Sequence, residues 1–271
     1  LGRMMGWRGA PAPNLVLLDE VHTYSGVHGA QVALLLRRWR NDVQSPVTFV
    51  GLSATLRDAG AFFSQLTGLP EARVDHIAPT ADELRPEGRE YAIALRGDPV
   101  SGTSLLSTSI QAAMLFGRIL DRDTDQYLYG STGFVFTDDL DVTNRFYDNL
   151  RDAEGRQDRA GRGGGRVLAA LRSPDAPWAS QRYRDGQSWD LVQQIGRPLP
   201  PAADGGELRV GRTSSQDAGV DLDADLIVST PSLEVGYNDT RVGLVIQHKA
   251  PRDAAAFIQR RGRAGRQHPA R

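Results

Sequence analysis

The sequence predicts open α/β sheets, mostly parallel, divided between two domains. Short apolar runs that end in polar or charged residues alternate with helical stretches. The runs are nearly continuous in apolar residues, as strands buried on both faces are. The chain has 271 residues, enough for about two domains of ordinary size. In such sheets ligands lie beyond the carboxyl ends of the strands, so those ends are where chemistry is sought.

The first apolar run, Asn14-Leu15-Val16-Leu17-Leu18, reads as a buried strand that presents Asp19 and Glu20 at its end. A helix follows with Val32, Leu35, Leu36 and Trp39 at i, i+3, i+4, i+7, while Arg37, Arg38 and Arg40 lie off that stripe. Residues 47–52 form a second strand, ending in Ser53-Ala54-Thr55. Asp58 is positioned to cap a helix over 59–66, and Gly68 to stop it.

Residues 70–99, rich in Pro, Glu and Arg, read as the connection to the second domain, with a strand at 91–95. A helix is expected over 103–121, a strand at Phe134-Val135-Phe136 and a helix over 141–150. Residues 151–166 hold five arginines and a triple glycine and read as a loop; 172–206, with Trp178, Trp189 and five prolines, read as an insertion. Strands are expected again at 208–210, 225–229 and 243–247, and a last helix from Asp253 to Gly262. The expected domains are 1–80 and 81–271, the second carrying an insertion at about 151–206.

Lysine and arginine total 32 against 33 acids, a net charge of −1, so global charge does not mark a nucleic-acid binder; such binding has to come from local groups. The absence of cysteine excludes disulfides and the common cysteine zinc sites, and fits a cytoplasmic protein. No apolar run approaches the roughly 20 residues that a membrane helix requires.

Asp19-Glu20-Val21-His22 places two acids at a strand end. In a nucleoside triphosphatase the first acid there holds Mg²⁺ through water, and a second beside it orients and deprotonates the attacking water. Two surface acids would look the same in isolation. His22 and His28 lack the i, i+4 spacing of a helical zinc pair. Ser53-Ala54-Thr55 puts two small hydroxyls one strand later, where they can bond a neighbouring histidine or acid. In Gln259-Arg260-Arg261-Gly262-Arg263-Ala264-Gly265-Arg266, arginines 260, 263 and 266 recur every third residue, and glycines precede the last two of them. The planar guanidinium suits phosphate, and an arginine aimed at a γ-phosphoryl group is worth roughly 10³–10⁵ in rate. A solvated basic tail would share the composition.

Together these segments resemble superfamily 2 helicases. Asp19 to His22 looks like motif II in a DEVH form, and Ser53-Ala54-Thr55 like motif III. Phe134-Val135-Phe136 is similar to the motif IV strand, and Arg212-Thr213-Ser214 to the weaker motif before motif V. Residues 229–238, from Ser229-Thr230-Pro231 to Gly236-Tyr237-Asn238, look like motif V, and 259–266 like motif VI. The order and rough spacing agree from residue 15 to the C-terminus. Residues 19–38 resemble bacterial DNA-repair and phage-defence helicases, and 233–265 are similar to the DrmA type.

The resemblance implies two RecA-like domains, the first one truncated, that close on ATP and shift their grip on one nucleic-acid strand at each hydrolysis. Asp19 would coordinate Mg²⁺ and Glu20 would activate water. His22, Ser53 and Thr55 would couple hydrolysis to domain movement. Arg263 and Arg266 would reach the γ-phosphate, supported by Gln259 and Arg260, with Gly236 and Asp239 in the nucleotide and coupling set. Thr213 and Thr230 would bond the nucleic-acid backbone, DNA more readily than RNA, and partner proteins of a repair or defence system are expected.

This sequence departs from the family in two places. The acid that meets the nucleotide sugar belongs at the position of Asn238, whereas here the acid is Asp239. The loop GxxxxGK[ST], which cradles the α- and β-phosphates, occurs nowhere in these residues. The chain is therefore expected to be a piece of a longer ATP-dependent motor, inactive by itself and poorly supported in its first third. The competing expectation is a helicase-shaped scaffold that grips nucleic acid without turnover.

Overall fold

The computed structural model describes residue 6 and residues 11–43, 45–53, 56, 58–83, 90–97, 104–121, 129–155, 207–214, 219–231 and 239–266. The chain separates into two compact units, Leu1–Pro86 and Glu87–Arg271. Among the described residues no helix is long and apolar enough to cross a membrane.

In the first unit, strand β1 (Leu15–Leu18) pairs in parallel with β2 (Thr48–Gly51) in a two-stranded sheet. Helix α1 (Gly26–Val43) connects them, and α2 (Ala59–Thr67) packs against it. Leu18, Val21, Ala33, Trp39, Phe49 and Leu66 form the core, with the Trp39 and Phe49 rings edge to face at 6.2 Å. This side of the sheet is covered, while Leu15 and Leu17 on the other strand face stand exposed.

The buried stripe of α1 runs through Gly29, Ala33 and Trp39, with Val32 and Leu36 at its margin, so Leu35 is exposed rather than buried. Two of the off-stripe arginines are used by α2: Arg37 donates to the Gln65 carbonyl, and Arg40 donates to those of Thr67 (3.1 Å) and Gly68 (3.2 Å). Cations on the last carbonyls of a helix satisfy orphan acceptors and oppose the helix dipole. Gly68, at φ 71°, ends α2 as expected, its N–H bonding the Ser64 carbonyl. Asp58 precedes α2 but does not cap it. Its left-handed backbone (φ 51°, ψ 47°) departs from the extended geometry of a capping residue, and its side chain bonds no helix amide.

The second unit is built on a parallel four-stranded sheet in the order β4-β5-β3-β6, with β3 (Thr132–Phe136), β4 (Val210–Thr213), β5 (Leu226–Ser229) and β6 (Val242–Gln247). All five residues of β3 are buried, as a central strand covered on both faces requires. Val135, Leu226 and Val228 point to a cluster with Ile110, Met114, Phe146 and Leu150, from α3 (Leu105–Gly117) and α4 (Leu140–Ala153). Phe134, Phe136 and Ile227 point to the opposite face, with Val242 and the partly buried Ala264. Helix α5 (Ala254–Arg261) follows β6.

Ser104, Asp139 and Asp253 cap α3, α4 and α5, each accepting an N–H of the first turn. A buried ion pair ties the far ends together. Arg118 donates to both carboxylate oxygens of Glu154 at 2.7 and 2.6 Å, and Glu154 also accepts the N–H of Leu208 at 3.1 Å.

The elements expected from the sequence recur with four differences here. The helix before β3 spans only 105–117. Residues 91–97 form no strand: Tyr91, Ile93 and Leu95 are exposed, and no described strand pairs with them. The strand expected at 208–210 begins at Val210, because the N–H groups of Leu208 and Arg209 are taken by the side chains of Glu154 and Asp225. Helix α4 runs through 151–153, expected as loop, while 156–206 lies outside the described residues.

Candidate functional site

In the first unit the candidate group lies at the end of β1. Asp19 is exposed, and its Oδ1 accepts the N–H of Glu20 at 2.9 Å. Glu20 adopts a left-handed backbone (φ 47°, ψ 51°). Such a conformation costs a non-glycine residue on the order of 1–3 kcal/mol and is kept where the surroundings fix it. Here the Val21 N–H bonds the Leu52 carbonyl at 3.0 Å, and the Leu52 N–H bonds the Leu18 carbonyl at 2.9 Å, so β2 locks the turn.

The turn brings together three residues from two segments. His22 Nδ1 lies 3.2 Å from Ser53 Oγ and 3.3 Å from Glu20 Oε2, with the imidazole mostly buried. The acid pair and the Ser-Ala-Thr segment are thus joined through one ring nitrogen. Thr55 lies outside the described residues, so its part is not placed.

Asp19 fits a magnesium ion held through water: it is a hard oxygen donor, oriented and open to solvent. Mg²⁺ keeps several waters and takes one or two carboxylates plus substrate phosphates rather than a full protein cage.

In the second unit a separate arginine group lies in and after α5. Gln259 is half-buried, Arg266 exposed, and Arg260 and Arg263 buried. Arg260 donates to Asp138 Oδ1 at 2.7 Å and lies 5.6 Å from the centre of the Phe136 ring. Arg266 Nε donates to the Gly262 carbonyl at 2.6 Å, and the Gly265 N–H bonds the Val242 carbonyl at 3.0 Å. Asp138 was not among the residues the sequence singled out; an acid two residues past a strand carries no signal of a partner 122 residues away.

Two of the expected residues, Thr213 and Asp239, are otherwise engaged in the fold. Thr213 is buried and its hydroxyl donates to the Gly219 carbonyl at 2.9 Å, so in this arrangement it has no proton for a phosphate. Thr230, half-buried just beyond β5, is open enough to meet one. Asp239 accepts three donors of Arg241, the backbone N–H at 2.9 Å, Nε at 3.1 Å and Nη2 at 2.8 Å, and so is engaged in an ion pair rather than presented to a ribose. Gly236 lies outside the described residues.

Burial holds His248 below the usual histidine range, and the neighbouring Lys249 adds to that while Asp138 opposes it. The ring, 4% exposed, bonds Ser109 Oγ through Nδ1 at 2.9 Å.

The family profile described as the helicase conserved C-terminal domain matches residues 211–268. The Lhr helicase/probable uracil glycosylase of Mycolicibacterium smegmatis is 26% identical over 255 residues, covering 93% of this chain and 15% of the relative. The Lhr helicase/uracil glycosylase of Escherichia coli is 26% identical over 259 residues, covering 93% and 16%. The chain thus spans less than a fifth of the length of these relatives. The crystal structure of the DUF1998 helicase MrfA bound to DNA and AMPPNP has a similar fold, at TM-score 0.51 and 18% identity, covering 94% of this chain and 29% of that one. The resemblance to superfamily 2 helicases stands on the matched domain and the Lhr homologues, and the parallel α/β sheets are those of that fold.

Proposed function

We propose that this chain is part of an ATP-dependent helicase or translocase acting on nucleic acid, DNA before RNA, with its catalytic acids in the first unit and its arginines in the second. Units 1–86 and 87–271 correspond in this reading to the end of one RecA-like domain and most of the next. The observation that carries the reading is His22 Nδ1 between Glu20 Oε2 (3.3 Å) and Ser53 Oγ (3.2 Å). A link from the water-activating acid to the neighbouring strand end is what a hydrolysis sensor needs. A pair of ordinary surface acids has no use for it.

The reaction that ATP supplies is transfer of its γ-phosphoryl group to water, with the bond to ADP breaking. Glu20 orients that water and takes its proton. Asp19 would hold the Mg²⁺ that neutralises the phosphates when it is bound. His22 reports the state of Glu20 to Ser53. Arg263 and Arg266 balance the charge that gathers on the γ-oxygens. Thr230 donates to the nucleic-acid backbone, and Thr213 supports it by holding the chain at Gly219. Such contacts position a strand without reading sequence, which suits a chain of net charge −1.

In this reading the activity is that of a longer protein which also supplies a phosphate-cradling loop, and the chain itself covers 15% and 16% of the Lhr relatives. DNA is favoured over RNA because the MrfA structure of similar fold holds DNA.

The test is ATP hydrolysis by the longer protein with and without single-stranded DNA, beside Glu20→Gln and Arg263→Ala. The expected result is DNA-stimulated turnover that falls by about 10²–10⁴ in Glu20→Gln and by about 10³ or more in Arg263→Ala. Tight DNA binding with no turnover in the unaltered protein would make it a helicase-shaped clamp instead.

A further inference from the structure

We infer that Asp138 is a positioning residue for the arginine group of the second unit: it fixes Arg260 as a strut, and through Arg260 it sets where Arg263 and Arg266 stand. The inference rests on the reading that those two arginines meet the γ-phosphate.

Arg260 lies in the last turn of α5 with its side chain 3% exposed, and its charge is answered by Asp138 at 2.7 Å. A guanidinium held in this way is not a third phosphate ligand. It is a rigid arm between α5 and the end of β3, steadied further by the face of Phe136.

The anchor is itself immobile. The Phe136 carbonyl accepts the His248 N–H at 2.9 Å, and the Thr137 N–H bonds the Ser229 carbonyl at 2.9 Å, which ties the residues before Asp138 to β5 and β6. The Thr137 hydroxyl is bonded to that of Thr143 in α4. At the other end the strut acts over a short reach. The Arg263 N–H bonds the Arg260 carbonyl at 3.1 Å, Gly262 N–H bonds Ile258 at 2.8 Å, and Gly265 N–H bonds Val242 at 3.0 Å. A rotation at Arg260 therefore carries Arg263 with it.

Stability alone does not account for the pair. An apolar residue would fill the space beside Phe136 as well, since a buried ion pair usually stabilises a fold no more than apolar side chains of the same volume. What an ion pair adds is direction, and direction matters where phosphate-binding groups must stand within a fraction of an ångström.

The experiment is steady-state ATP hydrolysis by the longer protein with single-stranded DNA, comparing Asp138→Asn, Arg260→Gln, both together, Asp138→Glu, and Arg263→Ala as the control. Each single change is expected to lower kcat by about tenfold to hundredfold, the loss that displacement of a positioned group produces, with KM for ATP changed less than about threefold. The double variant should be no slower than either single one, because both break the same link. Asp138→Glu, which keeps the charge, should recover most of the loss. Losses that multiply in the double variant, an effect on KM alone, or a failure of Asp138→Glu to recover would overturn the inference. So would full turnover in Asp138→Asn when Arg263→Ala has stopped the reaction. If Arg263→Ala turns over normally, the functional reading fails first. If neither single variant folds, the pair is a determinant of the fold and the positioning role is rejected.

Discussion

The two units differ in how they enclose the sheets that carry their functional groups. The second has four parallel strands, a central strand buried along its whole length and apolar clusters on both faces. Among the described residues, the first has two strands, one covered face, and Leu15 and Leu17 exposed on β1 at 49% and 63%. Yet the acid turn is as well defined locally as the arginine helix, because hydrogen bonds from Leu18 and Leu52 hold it rather than a closed core. Local backbone bonding can shape a catalytic turn. Keeping it in place against unfolding takes burial of apolar surface, and that is what the first unit has less of.

The sharpest way to break this comparison is to remove an apolar side chain from each unit, one from the closed core and one from the open sheet face. Phe146→Ala in the second unit should cost about 3–5 kcal/mol. Leu17→Ala in the first should change stability by less than about 0.5 kcal/mol. Segment-resolved hydrogen exchange reads both in one sample, and equal losses in the two units would end the distinction.

Slightly gentler is the ion pair at the far end of the second unit. Glu154→Ala leaves the Arg118 charge buried without its carboxylate and should cost on the order of 3–5 kcal/mol. Replacing both partners with apolar residues should return most of that, as a denaturant midpoint would report.

Helix caps give a finer contrast. Ser104→Ala, Asp139→Ala and Asp253→Ala should each cost about 1 kcal/mol. Asp58→Ala in the first unit should cost almost nothing, since that carboxylate bonds no helix amide. A loss at Asp58 equal to that at Asp139 would show that α2 is capped after all.

The last effect is confined to mild acid. Burial lowers the His248 pKa, so the unfolded chain binds a proton more readily than the fold does. Stability that is present above the ordinary histidine value should therefore decline as pH falls through that value toward the lowered one. His248→Gln should flatten this part of the pH–stability curve of the second unit, and an unchanged slope would assign the acid sensitivity elsewhere.

Much of this was legible in the sequence. The apolar runs expected at 14–18, 134–136, 225–229 and 243–247 met their strands within a residue or two, because short near-continuous apolar runs bounded by polar residues suit strands of a parallel sheet. Asp253 and Gly262 bounded α5 as written. What failed did so for reasons of partnership. Residues 91–95 have strand-like composition but no described strand beside them, and Leu208 and Arg209 give their amides to carboxylates far along the chain. In the site, the approach of His22 to Ser53 followed from their strand-end positions. The engagement of Arg260 by Asp138, of Asp239 by Arg241 and of Thr213 by Gly219 did not, since motif spacing places a residue at a strand end or helix face without saying which neighbour takes its hydrogen bonds.

The central claim is that acids and arginines in this chain work on an ATP whose phosphate cradle lies outside it. It is tested most directly by measuring ATP turnover, with single-stranded DNA present, in the 271-residue chain and in the protein extended upstream. The account predicts no turnover from the chain alone and DNA-stimulated turnover from the extended protein, lost again in Glu20→Gln. Equal turnover from the chain alone would contradict it.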